Sequence, residues 1–386
     1  MKGYQRVLSY ILVAITASCV TLTAVFLSGV TTRPNKLLEL EQLLEDRFVG
    51  EVDLEAVEHA AAGAMVEAIG DRWSFYMTQE EFRDRMQQMT NSYVGVGMTV
   101  QENEEGYVDI LRVEPGGPAE EAGILAGDVL TAVNGQDVRN QGVEATKTLV
   151  VGEEGTTVSL TLLREGRTLT LEVERRQVKV QVAKYAMLEG NVGLVTIVNF
   201  ADRCCQETVA AIEALREQGA TALIFDVRNN PGGYKHELVA LLDYLLPEGP
   251  IFRSVYYDGT ESVDESDASF LDMPMMVLAN GNSYSAAELF TAALMEYDAA
   301  VFVGQPTTGK GRFQTSFQLY DGSAVNLSVG AYTTPKGGVD LTDVGLTPDV
   351  LVDLDEETAM EIYYGTVPPE EDPQIQKALE LLTSGS

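Results

Sequence analysis

The chain has 386 residues and sets 26 Lys and Arg against 59 Asp and Glu, a formal charge of −33. No basic stripe is available to grip a phosphate backbone, which excludes a nucleic-acid binder. Hydrophobic residues at 45% and charged residues at 22% exclude wholesale disorder and collagen-like sequence, and the length predicts two or three domains.

No formal charge interrupts residues 7–30, VLSYILVAITASCVTLTAVFLSGV. As a helix this run is long enough to cross a hydrocarbon core of about 30 Å. Lys2 and Arg6 precede it and favour a cytoplasmic stub over residues 1–6, against Arg33 and Lys36 on the far side. The apolar core of a cleaved signal peptide is usually about 7–15 residues, so an uncleaved anchor is expected. Outside this run the only cysteines are Cys204 and Cys205. Adjacent cysteines rarely bridge each other, and the pair reads as two thiols at a helix start. With His59 and His236 the only histidines and no C-x-x-C pair, no metal is expected.

Beyond the anchor, Leu37, Leu40, Leu44 and Phe48, then Leu54, Val57, Ala61, Met65 and Ile69, recur at helical spacing. Two amphipathic helices are expected, their stripes packed on the body or on a second copy. Thr78-Gln-Glu-Glu81 is a capping-box pattern opening a third helix toward Met89. From Ser92 the texture turns to strands: Val94, Val96 and Met98 alternate with Gly95, Gly97 and Thr99, and Tyr107 to Val113 is a second β-rich run. Pro115-Gly116-Gly117-Pro118 then leads into a short helix. A strand follows, then a tight Asn134-Gly135 turn, and a hairpin is built around Glu165-Gly166.

This order resembles a PDZ domain over residues 92–177, on Gly95-Val-Gly97-Met98 followed by the turn-rich segment from Pro115 to Gly135. The resemblance implies that the backbone of Gly95, Val96, Gly97 and Met98 receives a ligand's C-terminal carboxylate while the ligand adds a strand. Beyond Val178 the pattern is strand (191–200), helix (208–218) and buried strand (222–226). That alternation predicts an α/β (α+β) core with parallel pairing, and chemistry at the carboxyl ends of its strands.

Three pieces of this core stand out: Asp226-Val-Arg-Asn-Asn-Pro-Gly-Gly233, Asn282-Ser-Tyr-Ser285-Ala-Ala-Glu288, and residues 304–314 containing Gly309-Lys310-Gly311. Singly they read as a sharp turn, a capping box and a solvated turn lysine. Together they resemble the carboxyl-terminal processing peptidases, or tail-specific proteases, a family of PDZ-containing serine peptidases with a Ser-Lys dyad and a crotonase-like core. The likeness extends from Asp71-Arg-Trp-Ser-Phe-Tyr-Met-Thr-Gln-Glu-Glu-Phe82 to Gly345-Leu-Thr-Pro-Asp349 and the tail Asp372-Pro-Gln-Ile-Gln. The family places its nucleophilic serine three residues before a glutamate, a lysine 25 residues after the serine, and a glutamine four after the lysine. Ser285, Glu288, Lys310 and Gln314 match that spacing, whereas Ser283 does not and is assigned a structural hydroxyl. The third serine of the family's Ser-Ala-Ser-Ala-Ser-Glu run is missing, and Tyr284 replaces a small residue beside the nucleophile.

The resemblance thus implies Ser285 as nucleophile, Lys310 as general base and Gln314 as the residue orienting the lysine. Physical chemistry asks for the same arrangement. Lysine can take the serine proton only when neutral, which requires burial near Ser285, and small residues at 309 and 311 would permit close approach. The Gln314 carbonyl can accept from the amine without adding charge. The Ala286 N–H at a helix start and a donor from the Gly232-Gly233 turn are expected to form the oxyanion hole, and His236 is a rival base lying just beyond that turn.

The domains expected are the stub (1–6), transmembrane anchor (7–30), helical segment (31–91), PDZ domain (92–177), protease core (178–355) and helical tail (356–386). The function implied is that of a membrane-tethered serine endopeptidase on the outer side of a bacterial cytoplasmic membrane. It would need no cofactor, act on proteins with accessible C-terminal tails and form a homodimer. The alternatives are a catalytically silent scaffold whose PDZ domain binds C-termini, and an acyl-CoA enzyme, which the anchor and the PDZ domain disfavour.

Overall fold

The computed structural model describes residues 35–384. The expected anchor at 7–30 lies outside them, and among the described residues no helix is long and apolar enough to cross a membrane. The chain divides into two compact units, Met1–Ala68 and Ile69–Ser386.

In the first unit, helices Lys36–Arg47 and Leu54–Glu67 begin where Asn35 and Asp53 side chains accept the backbone N–H of Leu37 and Ala56. No residue of either helix is buried, and Leu37, Leu40 and Phe48 are exposed.

The second unit opens on a short strand, Phe75–Met77, and the helix Gln79–Met89, whose capping box joins Thr78 and Glu81 as the spacing predicts. An antiparallel sheet follows, in the order Met98–Glu102, Val108–Val113, Val129–Val133, Thr157–Arg164, Arg167–Glu174. Asn134-Gly135 and Glu165-Gly166 close its hairpins with both central residues at positive φ, as two-residue hairpin turns require. Val108, Ile110, Leu130, Leu160, Leu162 and Val173 fill the core of this domain. Its helix Gly142–Val150 went unread in the sequence, because Gly142 at positive φ and three threonine and lysine residues blur the apolar period. Strands Ser92–Gly95 and Arg176–Lys179 pair antiparallel and tie the domain's entry to its exit.

The core that follows is a second sheet, ordered Ala183–Leu188, Val192–Ile197, Ala222–Asp226, Met275–Ala279, Ala300–Gly304, Val350–Leu351. All neighbours run parallel except the first pair. Every residue of Ala222–Asp226 and Met275–Ala279 is buried, which is why these strands read as unbroken apolar runs. Helices Cys204–Glu217, Lys235–Leu245 and Ala286–Glu296 contribute to the larger apolar cluster on one face. Ile375 and Ala378 of the tail helix Pro373–Ser384 join Leu194, Ile224, Met276 and Val303 on the other. The two cysteines stand at the helix start as expected, with Cys204 buried. A separate antiparallel sheet carries the long strand Ala324–Thr333, flanked by Phe75–Met77, Gly249–Tyr256 and Arg312–Gln318.

One buried ion-pair cluster binds the tail to the core. The Arg228 side chain is 3% exposed and meets Asp226 at 2.7 Å, Asp372 at 2.8 Å and the Gln374 side-chain carbonyl at 3.0 Å. Asp372→Asn leaves Arg228 paired with Asp226 but removes a charge-assisted hydrogen bond that ties the tail to the core. It is therefore expected to lower stability by about 1.5–3 kcal/mol, read as a fall in the denaturant midpoint of the Ile69–Ser386 unit. A variant as stable as wild type would show the pair to be energetically idle.

Candidate active site

Loops leaving the carboxyl ends of Ala222–Asp226, Met275–Ala279 and Ala300–Gly304 converge, as parallel sheets dictate. Asn229 and Asn280 bind them side by side: Asn229 N–H donates to Asn280 Oδ1 at 3.0 Å, and Asn280 Nδ2 donates to Asn229 Oδ1 at 3.1 Å. Ser283 is fully buried, accepts the Asn280 N–H at 3.0 Å and donates to the Val227 carbonyl at 2.7 Å. It is the structural hydroxyl that its spacing implied.

Ser285 is the N-cap of helix Ala286–Glu296, with φ 59° and ψ −119°. A non-glycine residue in that region is strained, and such strain persists only where the surroundings impose it. The Glu288 carboxylate, 0% exposed, supplies the constraint. One of its oxygens accepts the Ser285 N–H at 3.0 Å and the Lys310 N–H at 2.9 Å. The other accepts the Thr307 hydroxyl at 2.6 Å and the Gly309 N–H at 2.7 Å. The capping glutamate is thus also the strut between the serine loop and the lysine loop, a role its local spacing could not disclose.

Ser285, Lys310, Gln314, Gly232, Gly233 and Ala286 all line a single cavity of about 840 Å³. Its walls are rich in aromatic side chains, including Trp73, Phe252, Tyr284 and Phe313. Burial pulls the Lys310 ammonium pKa down from the usual lysine range to about 8, helped by Arg85 and opposed by Asp71 and Glu288. Its Nζ lies 4.6 Å from the centroid of the Trp73 ring and 5.6 Å from that of Tyr284, and the two rings are 5.6 Å apart. The unexpected Tyr284 is therefore a cavity wall that the lysine rests against.

Gln314 differs from expectation. A bulge at Phe313/Gln314 turns its side chain so that Nε2 donates to the Arg312 carbonyl and Ser328 hydroxyl, each at 3.1 Å, and no hydrogen bond joins it to Lys310. Gly309 and Gly311 also serve a purpose other than the one expected. A side chain at either would strike the segment 340–345, so they admit that loop rather than the lysine.

Of the two glycines expected to offer an oxyanion donor, only one keeps a free N–H. Asn230, fully buried, donates to the Ile197 carbonyl at 2.7 Å and accepts the Gly232 N–H at 2.8 Å, so Gly232 has no free donor. The Gly233 and Ala286 N–H groups carry no hydrogen bond among the described residues. A Cβ on Gly232 would stand 2.9 Å from the Ala286 nitrogen, and one on Gly233 would collide with the Phe200 backbone. Both positions demand glycine for the loop to come this close.

His236 does not join the group. It is 70% exposed, stacks on Tyr234 with ring centroids 5.2 Å apart, and does not line the cavity. With Asp202 and Glu237 it gathers three potential ligand atoms within 4.8 Å of one another, an arrangement the histidine count did not anticipate. Both Glu237 oxygens there already accept backbone N–H groups, from Arg203 at 3.1 Å and Cys205 at 2.8 Å. In the preceding antiparallel domain, the Val96 and Gly97 carbonyls accept the N–H of Ala119 and Glu114, while their own N–H groups are free among the described residues. Gly97 has φ +81° and Met98 opens the next strand.

Residues 191–352 match peptidase family S41, and residues 92–174 match a PDZ domain. The chain is 32% identical over 317 residues to the carboxy-terminal processing protease CtpA of Bacillus subtilis, covering 81% of this chain and 67% of that protein. The chain belongs to the carboxy-terminal processing serine peptidases of family S41. A CtpA-like serine protease of Staphylococcus saprophyticus is 30% identical over 318 residues, 81% of this chain and 64% of that protein. The peptidase thus spans about two thirds of the length of these relatives. In fold it is similar to an S41 protease from Bacteroides fragilis, with a TM-score of 0.56 at 16% identity over 84% of this chain and 90% of that one. It is also similar to the tricorn protease, with a TM-score of 0.53 at 15% identity over 81% of this chain and 31% of that one.

Proposed function

We propose that this chain is an endopeptidase that hydrolyses proteins near their C-terminal tails through a Ser285-Lys310 dyad. The observation that carries this reading is the Glu288 strut, which brings a strained serine and a desolvated lysine to one cavity. In the reaction, neutral Lys310 leaves the Trp73 ring and takes the Ser285 Oγ proton, and Gln314 turns its carbonyl to the amine. Oγ attacks the scissile carbonyl, whose oxygen gains the electron pair and is received by the Gly233 and Ala286 N–H groups. The lysine then returns its proton to the leaving amine, and water resolves the acyl-enzyme.

The PDZ loop Gly95, Val96, Gly97 and Met98 would hold the substrate's terminal carboxylate on the free Val96 and Gly97 N–H groups. Residues 7–30 would tether the enzyme to the outer face of a cytoplasmic membrane. The exposed stripes of Lys36–Arg47 and Leu54–Glu67 support a homodimer. The test is reaction of the full chain with a fluorophosphonate, followed by peptide mapping. A single adduct on Ser285 is expected. An adduct on Ser283 would overturn the assignment, and no adduct at all would favour a silent scaffold.

A further inference from the structure

One wall of the cavity that holds Ser285 and Lys310 is a face of strand Gly249–Tyr256. Side chains alternate along a strand, so Phe252, Ser254 and Tyr256 share a face, and all three line the cavity. Ser254 pairs with Tyr332 of strand Ala324–Thr333, which turns both side chains the same way, and Tyr332 lines the cavity too. Helix Ala286–Glu296, with Ser285 at its N-cap, adds Ala286 and Leu289 to the lining, and helix Lys235–Leu245 adds Leu238. Leu238, Phe252, Ala286, Leu289 and Tyr332 belong to one apolar cluster, in which the two helices and the strand pack on one another. Beside the serine the cavity is therefore an apolar recess. Ser254 breaks that pattern: it is 4% exposed, and its hydroxyl has no hydrogen-bond partner among the described residues. Its neighbours are already engaged. The Tyr332 phenol donates to the Lys310 backbone carbonyl, and the Lys235 ammonium lies over the Phe252 ring, 2.6 Å from the Asp264 carboxylate. A buried hydroxyl without a partner costs about 1–3 kcal/mol, a cost alanine would avoid, so the partner is to be sought in what the recess binds.

We propose that Ser254 is a specificity residue: its hydroxyl bonds a hydroxyl on the side chain of the residue whose carbonyl Ser285 attacks, so that threonine is favoured there over the isosteric valine. The proposal rests on the Ser-Lys reading above. A residue whose carbonyl oxygen is held by the Gly233 and Ala286 N–H groups lies against Ala286, on the side of the cavity where Leu289 and the Ser254 strand pack. Threonine suits this recess because it offers one methyl to apolar walls and one hydroxyl to a hydroxyl. The Ser254 side chain can donate or accept and turns between staggered positions about a single bond, so it can meet that group in either sense. A charged side chain would be buried there without a free counter-charge, since Asp264 already pairs with Lys235. Valine leaves the Ser254 hydroxyl unpaired, and the lost bond raises the barrier for that substrate.

The test uses the full chain and two peptides that differ only in threonine or valine before the scissile bond, with the cleaved bond located by mass spectrometry. Wild type is expected to show a kcat/KM about 5- to 10-fold higher for the threonine peptide, the effect of one net hydrogen bond. Ser254→Ala should bring the two values within about twofold of each other, by slowing the threonine peptide while the valine peptide is cleaved at least as fast as before. A merely structural role would slow both peptides alike and keep their ratio, and that result overturns the proposal. So does a wild-type ratio within about twofold of unity, a result that does not depend on the variant folding. A threonine preference confined to another position of the peptide also overturns it. If cleavage survives Ser285→Ala, or wild type cuts neither peptide, the dyad reading fails and this inference falls with it. Ser285-dependent cleavage with equal ratios in wild type and variant removes Ser254 alone.

Discussion

Lys310→Ala is expected to lower kcat/KM for peptide hydrolysis by about 10³- to 10⁴-fold, the upper range for loss of a general base. In wild type, activity should rise with pH through about 8, the value to which burial lowers the Lys310 ammonium. The sign follows from the chemistry: only the neutral amine can accept the serine proton. Below the midpoint each pH unit therefore costs about tenfold in the neutral fraction, and above it the rate levels off. The position of Nζ over Trp73 works against burial, because a ring face favours the charged form of the resting lysine. A pH profile of kcat/KM between about pH 6 and 10 checks this. A flat profile, or a Lys310→Ala enzyme of near-normal activity, would remove the lysine from the mechanism.

The second large effect is expected at Glu288. Glu288→Gln changes almost no volume, yet the carboxylate accepts four donors, three of them backbone N–H groups. An amide has one acceptor oxygen, and in either orientation its NH₂ faces a backbone N–H that can only donate. Charge-assisted hydrogen bonds to a buried carboxylate contribute about 1.5–3 kcal/mol each, so losing two should destabilise the protein by about 3–6 kcal/mol. Activity should fall at least as far as folding allows, because the same bonds set the distance between the serine and lysine loops. Denaturation and fluorophosphonate labelling of the variant would be read together. Wild-type stability with wild-type labelling would show that the loops hold their places without the strut.

Much of this arrangement was legible in the residue pattern. Capping at Thr78 and Glu81, the Asn134-Gly135 and Glu165-Gly166 turns, and the apolar strand Ala222–Asp226 are local signals, each fixed by a few neighbouring residues. Ser285, Lys310 and the glycine turn stood out because their spacing repeats a family pattern, and the fold brings them to one cavity. The missing parts all depend on contacts across long stretches of chain. Glu288 reads as a cap, since Thr307, Gly309 and Lys310 meet it only after folding. Tyr332, which lines the cavity and donates to the Lys310 carbonyl, carries no local motif and is placed by strand register opposite Ser254. That the Gly232 N–H is bonded while the Gly233 N–H is free turns on the Asn230 side chain, and the Gln314 hydrogen bonds turn on a bulge. The edge strand Ala183–Leu188 was missed because Lys184 and Tyr185 interrupt its apolar alternation.

The Arg228 cluster has a consequence for timing. Arg228 lies just ahead of the loop that bears Asn230, Gly232 and Gly233, while its partner Gln374 lies 146 residues further along, two residues beyond Asp372. Synthesis proceeds from the amino end, so that loop waits for these partners until the residues that carry them have been made. A core assembled in this order closes its glycine turn only when the helix Pro373–Ser384 arrives, so the turn and the tail helix mature together.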